Sequence, residues 1–229
     1  MKVSVLVPYR SDGGHRQKTW EWLAARWAGL FPQFEVVTGE PSDPCPDPGQ
    51  FNRPQAINAA AAKASGDVFI VNDCDTAFSP SFIVEAIRVV SYQGRWVLPE
   101  TYLKLDEQVS ASIVAGPPTV EPWPTGPTEW QGPSVSGLLV MDRDAFETVG
   151  GFDERHRGWG WDDISFSASM DTLWGEHRRV PGFCYHLWHP QPHEHSFGHP
   201  TNAQQQLLFD RYAAARGDRD AMRSLIAER

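Results

Sequence analysis

Short apolar runs alternate with longer amphipathic stretches along the first hundred residues. The runs are rich in β-branched and aliphatic residues and too short for helices, so they predict buried strands. These predicted strands lie at residues 3–7, 34–37, 68–71 and 96–98. The stretches between them place apolar residues at helical spacing and predict helices over residues 17–30, 54–64 and 79–91. This alternation predicts an α/β fold with a mainly parallel, doubly wound sheet that binds ligands at the carboxyl ends of its strands.

The second half of the chain has the same kinds of element in a less regular order. The pattern predicts strands at residues 135–141 and 180–185, and helices at residues 142–149, 162–174 and 203–215. Residues 120–132 are rich in Pro, Trp and Gly and predict a long loop or flap. We predict a single domain with a nucleotide-binding half (1–100), an acceptor and catalytic half (101–200) and a helical tail (201–229).

Composition and charge narrow the possible functions only slightly. The net charge of −9 gives no general attraction to a polyanion, which disfavours a nucleic acid duplex as a partner. The three cysteines are far apart and form no CxxC pair, so neither a disulfide framework nor a thiolate zinc site is indicated. The first apolar run ends at Pro8, and no stretch reaches the roughly 18 apolar residues of a membrane span. We therefore predict a cytoplasmic protein with no membrane span.

Two carboxylates stand at the end of the third predicted strand. Asp73 and Asp75 flank Cys74, immediately after Asn72. Carboxylates in this position can together bind Mg²⁺ or Mn²⁺, and such an ion can bridge the phosphates of a nucleotide. The alternative is an exposed acidic turn that caps the next helix, and a DxD sequence alone does not decide between the two.

A segment rich in glycine and tryptophan precedes the helix predicted at residues 162–174. It reads Gly158-Trp159-Gly160-Trp161-Asp162-Asp163. Glycines let the backbone approach a ligand, and Trp159 offers a flat face to a sugar ring. One of two adjacent carboxylates can orient a hydroxyl while the other accepts its proton, so Asp162 and Asp163 are candidate catalytic residues. The competing interpretation is that both only cap the helix.

Histidines cluster after the last predicted strand. His186 and His189 follow residues 180–185, and a neutral imidazole in that place can complete a metal site. Either of the two could be the ligand. The further histidines His193, His195 and His199 raise the alternative of a zinc site, although their spacing matches no zinc pattern.

In combination these segments resemble the GT-A glycosyltransferases, most closely the catalytic region of β-1,4-galactosyltransferases and related family 2-like enzymes of bacteria and phages. The resemblance rests on the VPYR start, Phe51-Asn52-Arg53 opening a helix, the strand-terminal DCD, GGFDE followed by GWGWDD, and a late HLWH. These segments follow the family's order over about residues 1–190. The resemblance implies a GT-A fold, a nucleotide-sugar donor, expected to be a UDP-sugar, and a Mn²⁺ or Mg²⁺ cofactor.

The resemblance also implies donor-binding and metal-binding roles for individual residues. Pro8, Tyr9 and Arg10 would border the base and ribose. Arg53 would contact the nucleotide, and Asp73 would lie near the ribose and the metal. The metal itself would be held by Asp75 and His189, with His186 as the competing ligand.

Further roles follow for the GWGWDD segment. Trp159 and Gly160 would lie at the junction of donor and acceptor. Asp163 would be the catalytic base, and Asp162 would hold donor or acceptor hydroxyls. The family pattern is GWGGED, so Trp161 replaces a glycine here and Asp162 replaces a glutamate. A bulky Trp161 beside the sugar site should reshape it, so the resemblance does not carry over the identity of the donor sugar.

The sequence thus predicts a metal-dependent, inverting glycosyltransferase whose acceptor hydroxyl is left open between a glycan, a protein and a modified nucleobase. Two alternatives remain at this point. A nucleotidyltransferase on a similar sheet would use Ser11-Asp12-Gly13-Gly14 as its glycine-rich loop. A sugar-binding module without catalysis would use the tryptophans of the second half.

Overall fold

The computed structural model describes residues 1–42, 51–121, 128–157, 160–190 and 200–229. Residues 122–127 of the predicted flap lie outside these ranges, as do Trp159, His193, His195 and His199. The described chain contains one sheet of eight strands. The strands are β1 (Val3–Pro8), β2 (Glu35–Gly39), β3 (Val68–Asn72), β4 (Thr76–Phe78), β5 (Val97–Leu105), β6 (Thr128–Gly132), β7 (Leu138–Asp142) and β8 (Arg178–His186).

The sheet is mixed and mainly parallel, which confirms the predicted fold class. Its order is β2-β1-β3-β7-β5-β8-β4, with β6 paired to β5. Strand β1 is parallel to β2 and β3, and β5 is parallel to β8. Strand β7 lies between β3 and β5 and is antiparallel to both, while β4 and β6 are antiparallel to their partners. The antiparallel β7 therefore joins two parallel groups of strands into one sheet.

Helices cover both faces of the sheet. They are α1 (His15–Leu30), α2 (Arg53–Lys63), α3 (Pro80–Gln93), α4 (Glu107–Ala115), α5 (Arg143–Thr148), α6 (Asp162–Leu173), α7 (Pro200–Ala215) and α8 (Arg219–Ile226). Side chains of a strand alternate between faces, so Val68 and Ile70 of β3 enter one core and Phe69 and Val71 enter the other. Because both faces are covered, residues 68–71 of β3 are all apolar, as the sequence indicated.

The structure corrects the loop predicted at residues 120–132. Thr128–Gly132 forms β6, which pairs with β5. The prediction failed because β5 extends to Leu105, well beyond the residues 96–98 predicted for it, and its far half offers a backbone edge for pairing. The short strand β4 and the helices α4 and α8 are also additional to the predicted elements. Within the described ranges, no helix combines the length and hydropathy that a bilayer crossing requires.

Candidate active site

A tight turn after β3 carries the two aspartates of the DCD segment. The carbonyl of Asp73 accepts the N–H of Thr76 at 3.0 Å, and the carbonyl of Asp75 accepts the N–H of Leu187 at 2.8 Å. The side chain of Asn72 donates to the Thr76 carbonyl at 3.0 Å and accepts the indole N–H of Trp27 at 2.9 Å. Because the turn is bonded on both sides, the two aspartate side chains leave it in defined directions.

Asp75 points to two histidines. Its Oδ2 lies 3.5 Å from Nε2 of His189, and its Oδ1 lies 4.0 Å from Nε2 of His186. One ligand atom from each of the three residues falls within 4.8 Å of the others. All three side chains are largely buried. We refer to these three residues as the Asp-His cluster.

The Asp-His cluster fits a divalent cation in both spacing and chemistry. An ion with ligand bonds near 2.1 Å separates neighbouring ligand atoms by about 3 Å and opposite ones by about 4.2 Å, and the observed separations of 3.5 and 4.0 Å require only small adjustments. Imidazole nitrogens suit transition metals, whereas Mg²⁺ is usually held by oxygen ligands. Both histidines lie within reach of one ion together with Asp75, so the choice between His186 and His189 as the ligand stays open.

The charges of the Asp-His cluster favour a metal-binding protonation state. Burial alone would raise the pKa of Asp75, but His186, His189 and Arg16 together lower it. Burial lowers the pKa of His186, against the opposing effect of Asp75. An ionised carboxylate beside a neutral imidazole is the form that ligates a cation.

Asp73 points the other way, to a second group of charges. Nε of Arg53 donates to Asp73 at 2.7 Å, and Nη1 donates to Asp162 at 2.7 Å and to Asp163 at 2.9 Å. One buried guanidinium thus joins three carboxylates from two distant segments. We refer to Arg53, Asp73, Asp162 and Asp163 as the carboxylate cluster.

Helix α2 and the GGFDE segment hold Arg53 in place. Asn52 caps the helix by accepting the N–H of Gln55 at 3.0 Å, and its amide donates to the carbonyl of Glu154 at 3.1 Å. The Arg53 guanidinium lies over the ring of Phe152, 5.5 Å from its centre. The FNR and GGFDE segments, a hundred residues apart in sequence, therefore form one support for the arginine.

The pKa shifts within the carboxylate cluster oppose those of the Asp-His cluster. Burial raises the pKa of Asp163 well above its usual value, with Arg53 opposing and the carboxylates of Asp162 and Asp73 adding. Burial also raises the pKa of Asp73. Three carboxylates share one guanidinium, so Arg53 does not fully offset the cost of burying their charge. A carboxylate with a raised pKa is a better proton acceptor when ionised.

The GWGWDD segment places its aspartates at the start of α6. Gly160 has φ of 91°, and the following Trp161 has φ of 71°. The Trp161 ring stacks on Phe209 of α7, with ring centres 4.6 Å apart. Its only ring contact among the described residues is thus with α7.

The VPYR residues lie at the carboxyl end of β1, beside β3. Pro8 is the last residue of β1, and the N–H of Tyr9 donates to the Gly39 carbonyl at 3.0 Å. The Arg10 guanidinium lies 5.5 Å from the ring centre of Phe51. The structure therefore brings VPYR next to the FNR segment, at the edge of the sheet where the aspartates lie.

Some neighbours of the Asp-His cluster had no signal in the sequence. Tyr102 and Lys104 of β5 lie beside Cys184 and His186 of β8 in register. The Tyr102 ring is centred 5.8 Å from that of His186. No motif marks Tyr102 or Lys104, and the apolar run that predicted β5 covers only residues 96–98.

Comparisons with known proteins agree with this architecture. Residues 127–190 match the family model described as the N-terminal domain of galactosyltransferase. The catalytic domain of Drosophila β1,4-galactosyltransferase 7 is similar in structure, with a TM-score of 0.51 and 16% identity over 90% of this chain and 79% of that one. A search of curated proteins found no match.

Two further solved structures have the same fold. A mannosyltransferase from Pyrobaculum calidifontis, bound to GDP-Man and Mn²⁺, has a TM-score of 0.51 and 14% identity, over 99% of this chain and 68% of that one. Glucosyl-3-phosphoglycerate synthase from Mycobacterium tuberculosis, in complex with Mn²⁺, UDP-glucose and phosphoglyceric acid, has a TM-score of 0.54 and 14% identity, over 94% of this chain and 79% of that one. The fold of this chain is therefore GT-A, and together with the galactosyltransferase match over residues 127–190 it supports a glycosyltransferase, as the sequence segments indicated.

Proposed function

We propose that the protein is a Mn²⁺-dependent, inverting glycosyltransferase that transfers a sugar from a nucleoside-diphosphate sugar to an acceptor hydroxyl. The observation that carries the proposal is the division of the DCD segment between two clusters. Asp75 joins two histidines, and Asp73 joins Arg53 and the aspartate pair of α6. A metal-binding group and a group of proton acceptors are thus adjacent at the end of one strand.

The donor's diphosphate belongs at the Asp-His cluster. Asp75, His186 and His189 would hold the cation, and a bound Mn²⁺ supplies positive charge that stabilises the departing diphosphate. Pro8, Tyr9 and Arg10 at the end of β1 are proposed to border the base and ribose. Arg53 retains a buried Nη2 with no hydrogen-bond partner among the described residues, which supports a contact between that atom and the donor.

The carboxylate cluster would carry the proton transfer. Asp163 accepts the proton of the acceptor hydroxyl at a carboxylate oxygen. That hydroxyl oxygen forms a bond to the anomeric carbon, and the bond from the carbon to the diphosphate breaks, with its electron pair leaving on the diphosphate. Asp162 holds a hydroxyl of the donor or acceptor. A single displacement of this kind inverts the anomeric centre.

A UDP-sugar is the proposed donor. The similar structures contain both GDP-Man and UDP-glucose, so the fold does not choose between the two nucleotides. The choice of UDP rests on the resemblance to galactosyltransferases and on the family match over residues 127–190. The acceptor stays open between a glycan, a protein and a modified nucleobase.

The geometry of the loop after β1 argues against the nucleotidyltransferase alternative. Asp12 accepts the N–H groups of Gly14, Arg16 and Gln17 at 2.8, 3.2 and 3.2 Å. These are the N–H groups that would hold a phosphate in the glycine-rich loop of a nucleotidyltransferase. Because an aspartate of the chain itself occupies them, this loop is poorly suited to cradle a phosphate.

The decisive experiment measures nucleotide release. UDP-sugars and GDP-mannose are incubated with the protein, with and without Mn²⁺, together with glycan, peptide and hydroxymethylated nucleoside acceptors. We expect UDP release that requires Mn²⁺, and a product whose anomeric configuration, read by NMR, is opposite to that of the donor. Retained configuration would refute the single displacement. In a parallel incubation with a nucleoside triphosphate and a sugar phosphate, release of pyrophosphate would support the nucleotidyltransferase. Sugar binding without turnover would support the binding module.

A further inference from the structure

Trp161 has a backbone conformation that its side chain makes unfavourable. Its φ of 71° is the only positive φ of a non-glycine residue in the described ranges. A bulky L-residue rarely adopts this left-handed region, because its Cβ crowds the neighbouring carbonyl. Glycine occupies it freely. A tryptophan kept here must therefore be offset by contacts of its ring.

The left-handed turn lies at the point where the aspartate pair begins. Trp161 is the residue before Asp162, and its carbonyl accepts the N–H of Ser165 at 2.9 Å, which starts α6. The conformation of this one residue sets the direction in which Asp162 and Asp163 leave the backbone toward Arg53. A small change of φ here would move both carboxylates together.

The ring of Trp161 is held from outside the segment. It stacks on Phe209 at 4.6 Å between centres, with 21° between the ring planes. Such offset stacking is favourable beyond the area it buries. Phe209 belongs to α7, which lies beyond the residues matched by the family model.

A buried polar chain ties α7 to the same turn of α6. Gln205 of α7 accepts the N–H of Arg157 at 3.0 Å through Oε1, so this oxygen must also accept from Nδ1 of His156, 3.0 Å away. Nε2 of the neutral ring then accepts the hydroxyl of Ser165 at 2.9 Å. His156, Ser165 and Gln205 are all buried. Helix α7 is therefore linked to the start of α6 at two points, through the stack of Phe209 on Trp161 and through His156, which bonds both Gln205 and Ser165.

We propose that Trp161 is a positioning residue, and that its stack on Phe209 makes α7 a structural part of the active site by holding Asp162 and Asp163 in their orientation toward Arg53. The inference rests on the proposed function, since it assigns the aspartate pair to catalysis. The strained turn is stabilised by the stack, so the stack determines how precisely the carboxylates are placed.

The test uses the 229-residue chain with substitutions on both sides of the stack. Trp161→Ala removes the ring but keeps an L side chain at positive φ. Trp161→Gly removes the ring and also the strain. Phe209→Ala removes the partner on α7, and Leu207→Ala, on the same helix and 67% exposed, is the matched control.

The first measurement does not depend on activity. We expect amide hydrogen exchange over residues 162–165 to accelerate in Trp161→Ala and Phe209→Ala, by similar factors, and to stay unchanged in Leu207→Ala. The double variant Trp161→Ala/Phe209→Ala should be no faster than the worse single variant, because both remove the same contact. Wild-type exchange rates in Trp161→Ala would overturn the proposal, since the ring would then not hold the turn. Trp161→Gly has no strain for a ring to offset, so its exchange should be slower than that of Trp161→Ala.

The second measurement is kinetic. In Trp161→Ala we expect kcat to fall about 10- to 100-fold with little change in the donor KM, because misplacement of a catalytic group costs rate more than binding. The apparent pKa in the kcat–pH profile should also shift, as Asp163 moves relative to Arg53. An unchanged kcat and pH profile, with only a lower melting temperature, would reduce Trp161 to a structural role. If the wild type releases no nucleotide from any donor, the proposed function fails, while the exchange rates still decide whether α7 holds the turn.

Discussion

Asp73 and Asp75 are two residues apart, and the structure gives their carboxyl groups opposite properties. Burial acts to raise the pKa of both. Around Asp75 the nearby His186, His189 and Arg16 outweigh burial and lower its pKa. Around Asp73 the single Arg53 does not outweigh burial, because Asp75 and Asp162 add negative charge. The pKa of Asp73 is therefore raised.

The difference between the pKa shifts of Asp73 and Asp75 shows how one short segment can serve two chemical tasks. A carboxylate that stays ionised among imidazoles is suited to a cation. A group of carboxylates that share one guanidinium is suited to accept a proton. The partners, and not the aspartates themselves, separate the two roles. The predictions below test this separation, from the largest expected effect to the smallest.

Asp163→Asn tests the proton-accepting role of the carboxylate cluster. The change is nearly isosteric and removes the proton acceptor, so we expect kcat to fall by about 10²–10⁴-fold, roughly 3–5 kcal/mol in the barrier. Binding of UDP with Mn²⁺ should persist, because the Asp-His cluster is unchanged. Steady-state kinetics and a thermal shift assay check the two parts.

Asp162→Asn is the matched control for that change. We expect it to act mainly on KM, since Asp162 is proposed to hold a hydroxyl. A reversed pattern, with Asp162→Asn costing the rate and Asp163→Asn the affinity, would exchange the two roles. If neither variant slowed transfer, the aspartates would be only a helix cap.

Arg53→Ala removes the one cation of the carboxylate cluster. Three largely buried carboxylates would then face one another, so we expect the free energy of unfolding at pH 7 to fall by about 3–5 kcal/mol. Arg53→Lys keeps the charge but cannot bond three carboxylates at once, and it should lose less. Urea unfolding measures both. If both variants lost the same small amount of unfolding free energy, the carboxylates would be able to move apart at little cost. That outcome would contradict the close electrostatic coupling inferred for the carboxylate cluster.

Asp75→Ala tests the Asp-His cluster. Wild-type protein should be stabilised by UDP with Mn²⁺, by about 2.7 kcal/mol at a hundredfold excess over Kd, and Asp75→Ala should lose this gain. Asp144→Ala, an exposed residue of α5, is the control and should keep it. His186→Ala and His189→Ala, compared in the same thermal shift assay, show whether both histidines bind. A full shift in Asp75→Ala would remove that residue from the metal site.

His156 offers the smallest and most localised test, behind the carboxylate cluster. Burial lowers the pKa of His156 from the usual 6.5. The charge of Arg229 lowers it further, while the charges of Asp162 and Asp153 act to raise it. The unfolded state therefore binds more protons near pH 6, so the stabilisation is complete above about pH 6.5 and is lost as pH falls below it.

The measurement compares wild type with His156→Gln in the absence of metal. Between pH 7 and 5 we expect the wild type to lose stability relative to the variant, with a slope of up to about 1.4 kcal/mol per pH unit. Taking the difference cancels the opposite trend of Asp163 and Asp73, whose raised pKa values favour the folded state at low pH. Parallel curves would mean that His156 titrates alike in both states.

The sequence pattern located most of the elements because their signals are local. The apolar run at residues 68–71 and the helical spacing at residues 17–30 are properties of neighbouring residues, and β3 and α1 lie where they predicted. Strand β6 was missed because its formation depends on the edge of β5, a partner some thirty residues away. The DCD and GWGWDD segments were identified as candidates for the same reason that β3 was, because the residues that matter are adjacent in the chain. The FNR segment was identified only through the family resemblance.

The sequence by itself determined the α/β class, the strand end that carries the aspartates and the residue types available for metal binding and proton transfer. Only the tertiary structure decided which of these residues contact one another. Arg53 meets Asp163 across 110 positions of sequence, and His186 reaches Asp75 through the pairing of β8 with β4. Such long-range contacts follow from the burial of both sheet faces and the order of the strands. Periodicity and spacing record only the neighbourhood of each residue, so they could not show which aspartate turns to the histidines and which to the arginine.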